Sequence, residues 1–240
     1  MASRLQVLAA LASTALGLPS PIVADPPVRI LPFNWDFKIT ALDGPGCPDF
    51  GQVNPPFTTR PTFGSNTVDG SEIYYWHFAY PHFRASVGPE TPEASIWCET
   101  TLSYTELNSE GVAPEVPEYR LQLHKNGTEF LASYDLEEGV EAKWKVTYLT
   151  EPQYKIDDEL TVTGPRAAGA YHDYTDSQEV QWRLPQCGTG TIRYRTELTL
   201  KAKKEGASGT VSSEKVQYAG RSVFYGVQQG VSYDWSKCDL

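Results

Sequence analysis

The sequence predicts an all-β fold: a single-domain, antiparallel β-sandwich of jelly-roll-like kind, closed by two disulfides. Three observations predict it. Ten segments carry strand chemistry and none carries a helical period. One of them, Ile192-Tyr194-Thr196-Leu198-Leu200-Ala202 against Arg193-Arg195-Glu197-Thr199-Lys201-Lys203, keeps the period of two that a half-buried strand requires. Four cysteines, Cys47, Cys98, Cys187 and Cys238, fall into two pairs, each 51 residues apart.

In chain order, residues 1–17 read as a secretory signal peptide, with Arg4 ahead of an apolar run and small residues Ala15 and Gly17 at the cleavage site. The run is shorter than the roughly 20 residues a membrane span needs and stops at Pro19. Residues 18–29 form a proline-rich lead-in, and residues 30–240 the folded domain. Strands are expected at Trp35 to Ala41, Ile73 to Phe83, Ile96 to Leu107, Tyr119 to Lys125, Thr128 to Tyr134, Val140 to Thr150, Leu160 to Thr163, Glu179 to Leu184, Thr191 to Lys203 and Ser222 to Tyr225. Asn126-Gly127, between two alternating runs, predicts a tight hairpin, because that pair accepts the positive φ angles of its turn. Asn126-Gly127-Thr128 is also the chain's glycosylation sequon. Pro48 to Gly70 reads as a long loop and Lys203 to Ser213 as a hairpin loop.

An exported chain meets an oxidising compartment, where an even cysteine count favours disulfides over metal. Cys47 with Cys98 and Cys187 with Cys238 is the simplest of three pairings, the others staying open. The formal charge of −10 becomes −11 once Arg4 leaves with the leader, which disfavours nucleic acid and anionic membrane as partners.

Ile39-Thr40-Ala41 followed by Gly44-Pro45-Gly46-Cys47-Pro48 resembles the opening signature of the secreted, mostly fungal proteins grouped as domain of unknown function 4360. The likeness continues through the aromatic strand ending in Gly88-Pro89, then Trp97-Cys98, Cys187-Gly188, and Trp235 ahead of Cys238. It runs from about residue 37 to the end and departs at Pro45 and in the loop from Pro48 to Gly70. The resemblance implies a secreted, two-disulfide, all-β protein and no catalytic residues.

The segment from Tyr74 to Phe83 offers rings for stacking on sugar faces, with Tyr74, Trp76 and Tyr80 on one side of a strand as candidate glycan-binding residues. A strand aromatic on both faces is more simply buried between layers. His77, His82 and His172 are weighed as metal ligands, but the odd spacing of the first two sends them to opposite faces, and no metal or other cofactor is expected. The acids Glu137-Glu138 and Asp157-Asp158-Glu159 read as turn charge rather than a glycosidase pair, and His172-Asp173 as a base with its orienter but without a nucleophile. Arg193, Arg195, Lys201 and Lys203 form a basic stripe that either guards a strand edge or meets an acidic polysaccharide. The leading expectation is a non-catalytic extracellular protein at a cell surface or cell wall, binding polysaccharide, with no membrane insertion. The alternatives are a polysaccharide hydrolase or lyase and a secreted effector with a protein partner.

Overall fold

The structure, a computed structural model, describes residues 31–52, 58–66, 74–149, 155–175 and 182–238; the leader read at 1–17 and the lead-in at 18–29 lie outside the described residues. In chain order the strands are β1 (Asn34–Asp43), β2 (Arg60–Asn66), β3 (Tyr74–Tyr80), β4 (Ala85–Val87), β5 (Glu93–Leu107), β6 (Tyr119–Leu136), β7 (Val140–Leu149), β8 (Lys155–Thr163), β9 (Arg166–Tyr174), β10 (Trp182–Arg183), β11 (Thr189–Ala202), β12 (Gly209–Ser212), β13 (Lys215–Tyr218), β14 (Arg221–Phe224) and β15 (Val227–Lys237). Their pairings are antiparallel throughout. Sheet A runs β1-β5-β11-β7-β8; sheet B runs β2-β3-β15-β6-β12-β4, with β9 and β10 also paired to β6. β13 and β14 form a separate hairpin. The sheets pack face to face as a sandwich.

The period-two stretch behaves as its chemistry demands. β11 buries Ile192, Tyr194, Thr196, Leu198 and Leu200 and turns Arg193 and Lys201 outward. Between the sheets, Phe130 stacks on Trp144 with centroids 4.6 Å apart, and Phe37 lies 5.5 Å from Tyr104. Burying so many rings requires partners for their polar tips. Trp144 Nε1 donates to Tyr134 Oη at 2.9 Å, Trp235 Nε1 to Tyr104 Oη at 2.9 Å, and the Tyr80 hydroxyl bonds those of Tyr194 at 2.8 Å and Thr100 at 3.0 Å.

This buried hydroxyl network makes the fold sensitive to alkali. Burial pushes the Tyr80 hydroxyl up to about 12 and those of Tyr104, Tyr134, Tyr148, Tyr194 and Tyr233 upward too. Their folded values lie above the unfolded value of about 10, so their stabilisation is complete below about pH 10 and is lost as pH rises through the folded values. The expected result is a urea midpoint that holds from about pH 8 to about pH 9.5 and then falls steeply, with tyrosinate absorbance appearing as the chain unfolds. A flat midpoint to about pH 12 contradicts it.

Both disulfides form as the simplest pairing: Cys47 with Cys98 and Cys187 with Cys238. No free thiol remains, which fits an oxidising compartment.

Three expectations need correction. Asn126-Gly127 makes no hairpin, because β6 runs through it as one strand. Leu123 faces Tyr233 and Thr128 faces Val231, so residues 124–127 bulge out opposite the lone Ser232. Gly127 does take a positive φ of 68°, but Ser232 Oγ accepts from the Asn126 amide at 3.0 Å and donates to the Gly127 carbonyl at 2.6 Å, so the chain continues instead of reversing. The stretch from Pro48 to Gly70 contains an edge strand, β2. Lys203 to Ser213 is no hairpin loop either: it carries the chain from β11 in sheet A to β12 in sheet B.

Candidate functional site

The outer face of sheet B, turned away from the sandwich interior, gathers the polar and aromatic side chains that the core does not use. Across β2, β3, β15, β6 and β9 the register sets Phe63, His77, Gly230, Glu129 and Tyr174 in one row, with Gln228, Leu131 and His172 in the next.

Three local features assemble this row. A bulge in β2 between Pro61 and Gly64 places both Thr62 and Phe63 opposite His77. Phe63 stacks on the imidazole with centroids 4.1 Å apart and planes 18° apart, while Thr62 Oγ1 donates to the His77 carbonyl at 3.1 Å. Gly230 supplies the second feature. His77 and Glu129 stand on strands separated by β15, so their side chains meet over its backbone only because that position lacks a Cβ; one built there lies 2.7 Å from His77 Nε2 and 3.1 Å from Glu129 Cβ. The third is the β6 bulge, which leaves Asn126 exposed with its side-chain amide donating to Tyr75 Oη at 3.1 Å.

Glu129, 5% exposed, is the hub. His77 Nε2 bonds Glu129 Oε2 at 3.0 Å, and His172 Nε2 bonds Glu129 Oε1. The two imidazoles differ in access: His77 is fully buried, while the His172 side chain is 45% exposed. Tyr174 lies 4.7 Å from the His172 ring and is 47% exposed; Phe63 is 43% exposed. Burial, with the Glu129 charge adding to it, raises the Tyr174 hydroxyl above its ordinary value. Burial likewise raises Tyr75, against the Asn126 hydrogen bond and with Glu129 contributing. From His172 a groove of about 200 Å³ runs past Leu131, Ser133 and Gln228 to Ser213, Glu214 and Tyr225. A larger cavity, about 510 Å³, opens beside Pro185, Gln186 and Arg193 but has no carboxylate or imidazole in its lining among the described residues. Chemistry therefore favours the smaller groove.

The residues singled out in the sequence are distributed differently from expectation. Tyr74, Trp76 and Tyr80 do not form a sugar platform. Alternation turns all three inward: Tyr80 is 1% exposed, Trp76 packs at 5.4 Å on Phe37, and Tyr74 packs at 6.1 Å on Trp35. His82 lies past the end of β3, 3.6 Å from Asp49, apart from His77. Asp173 does not orient His172, since it points to the other side of β9 and takes two hydrogen bonds from Arg166, at 2.9 and 3.1 Å; Glu129 orients His172 instead. Asp157, Asp158 and Glu159 sit in β8, not a turn, and are tied to Thr147, Thr128 and Lys143 respectively. The basic stripe is neutralised: Arg193 pairs with Glu99 at 2.5 Å, Arg195 with Glu197 at 3.7 Å, Lys201 with Glu93 at 2.9 Å and Lys203 with Glu141 at 2.6 Å. Among the described residues no group of three His, Cys, Asp or Glu side chains is arranged to hold a metal ion. Among the described residues no helix is long and apolar enough to cross a membrane.

No family model and no curated protein matches the chain. Among solved structures, the carbohydrate-binding module TmCBM61 in complex with β-1,4-galactotriose is 14% identical over 74% of this chain and 83% of that one, with a TM-score of 0.19. The enzymatically active domain of bacteriophage CBA120 tailspike protein 4 is 11% identical over 85% of this chain and 20% of that one, with a TM-score of 0.22. At these scores neither likeness carries an argument, and the sandwich stands on its own strand pairing.

Proposed function

We propose that the protein is exported and binds polysaccharide across the outer face of sheet B. The observation that carries this reading is the pair of exposed rings, Phe63 and Tyr174, at the two ends of a polar row. Four strand spacings of about 4.8 Å separate β2 from β9, a span of several sugar rings. Rings stack on the apolar faces of pyranoses, while His172 and Gln228 offer hydrogen bonds to hydroxyls between them. Two disulfides support the extracellular setting.

Retention of the folded protein on polysaccharide gels tests the reading. Wild type is expected to be retarded, and the double variant F63A/Y174A to lose about tenfold in affinity, the worth of two stacking contacts. Equal retention of wild type and variant overturns it. The exposed His172, held by the buried Glu129, supports a second reading as a general base. Release of new chain ends in the same incubations, absent with H172A, moves the site to catalysis.

A further inference from the structure

Many cations of this acidic chain are matched by a carboxylate. Besides the stripe on sheet A, Lys143 pairs with Glu159 at 2.7 Å, Lys204 with Glu138 at 3.0 Å and Lys237 with Glu118 at 2.8 Å. Others, Lys38 and Arg221 among them, have no ion pair among the described residues, and two such cations meet on one ring at the end of the groove beyond His172. There the Phe224-Tyr225 pair carries three cations: Arg84 Cζ lies 4.5 Å from the Phe224 centroid, Lys215 Nζ 5.0 Å from the same centroid, and Arg60 Cζ 4.7 Å from the Tyr225 centroid. Arg84 and Lys215 are exposed and, among the described residues, have no carboxylate within ion-pair distance. Arg60 is braced by donating to the carbonyls of Thr58 at 3.0 Å and Tyr225 at 3.3 Å.

Two like charges against one ring repel, and an aromatic face offsets only part of that cost at an exposed site. In a chain of formal charge −10, the exposed Arg84 and Lys215, held at one ring without a carboxylate partner among the described residues, are complementary to an anion supplied from outside. Tyr225 joins this set to the groove, which it lines together with His172 and Gln228. Among the described residues Glu214 is the one carboxylate lining that groove, against the two cations Arg84 and Lys215 at its end.

We infer that the polysaccharide held on sheet B is an acidic one, with its charged groups met by Arg84 and Lys215 while its rings lie over Phe63 and Tyr174. This rests on the glycan-binding reading and narrows its ligand class. The arrangement is assembled from β2, the turn after β3 and the β13-β14 hairpin, so no basic run announces it in the sequence.

Affinity electrophoresis of the full chain on polygalacturonate, a sulfated dextran and a neutral β-glucan tests it. The acidic chains are expected to bind about tenfold more tightly than the neutral one, and to weaken by about tenfold between about 0.05 and about 0.5 M salt. R84Q/K215Q is expected to remove about tenfold of the acidic affinity and leave the neutral affinity unchanged. Preference for polygalacturonate or for sulfated dextran identifies the charge as carboxylate or sulfate, and either supports the inference. Equal binding of neutral and acidic chains, or an R84Q/K215Q variant that behaves as wild type, overturns it while leaving the stacking face in place. Failure of wild type to be retained by any of the three removes both.

Discussion

C47A/C98A is expected to lose about 4 kcal/mol or more of unfolding free energy, and C187A/C238A about 4 kcal/mol. Both bonds close loops of the same sequence separation, 51 residues, so loop entropy alone predicts equal losses. Burial separates them. Cys47 and Cys98 are 1% and 0% exposed, within the main core, and the segment they hold threads under aromatic rings: Gly46 donates its amide to the Trp97 carbonyl at 2.9 Å, and a Cβ there would meet Phe83 at 2.6 Å. Cys187 and Cys238 are half-buried at the end of the sandwich, where the Cys238 amide donates to the Glu118 carbonyl at 2.8 Å. Alanines in the first pair therefore add a packing loss that those in the second do not. Urea denaturation of the two double variants checks the order. Limited dithiothreitol treatment followed by alkylation and peptide mass mapping is expected to label Cys187 and Cys238 first. First labelling of Cys47 and Cys98, or equal stability of both variants with wild type, contradicts this account.

The same two bonds were the most legible feature of the sequence, because equal spacing is a pattern in one dimension. β11 was legible for a similar reason: its inner residues are apolar and its outer ones charged, so periodicity survives without any partner. β15 was not, although it lies between β3 and β6 near the middle of sheet B. Val231, Tyr233 and Trp235 do alternate with polar residues, but the pattern fails over its first half, Val-Gln-Gln-Gly, because Gln229 takes an inward position where its Oε1 accepts from Thr196 at 2.6 Å, and Ser232 is buried to serve the backbone of the β6 bulge. β9, with Ala167, Ala168, Gly169 and Ala170 exposed, lacks an apolar face. Asn126-Gly127 misled because local preference sets the sign of φ but not what the chain does next; Ser232, 105 residues away, decides that. The site was hidden for the same reason. His77 and Glu129 lie 52 residues apart and Glu129 and His172 lie 43 apart, so only the strand order brings them to one hub.

That hub leads to the second large effect. G230A is expected to cost about 2–3 kcal/mol and to abolish binding on sheet B, although the added methyl is apolar and the residue lies in a well-paired strand. The φ of Gly230 is not in the left-handed region, so alanine meets no backbone penalty there; the cost is entirely one of space. The new Cβ would lie 2.7 Å from His77 Nε2, and the imidazole cannot step aside, because Phe63 covers it at 4.1 Å and the residue is 0% exposed. Moving the ring breaks its bond to Glu129, and a buried carboxylate that loses a donor costs more than the contact was worth. His172, left as the remaining imidazole on Glu129, is then displaced along with the Tyr174 ring beside it. H77A/G230A separates the causes: removing the imidazole makes room for the methyl, so the double variant is expected to be more stable than the sum of the two single losses predicts. Strict additivity of the two losses, or a G230A protein that retains polysaccharide as wild type does, means that the glycine is not what lets the histidine and the glutamate meet.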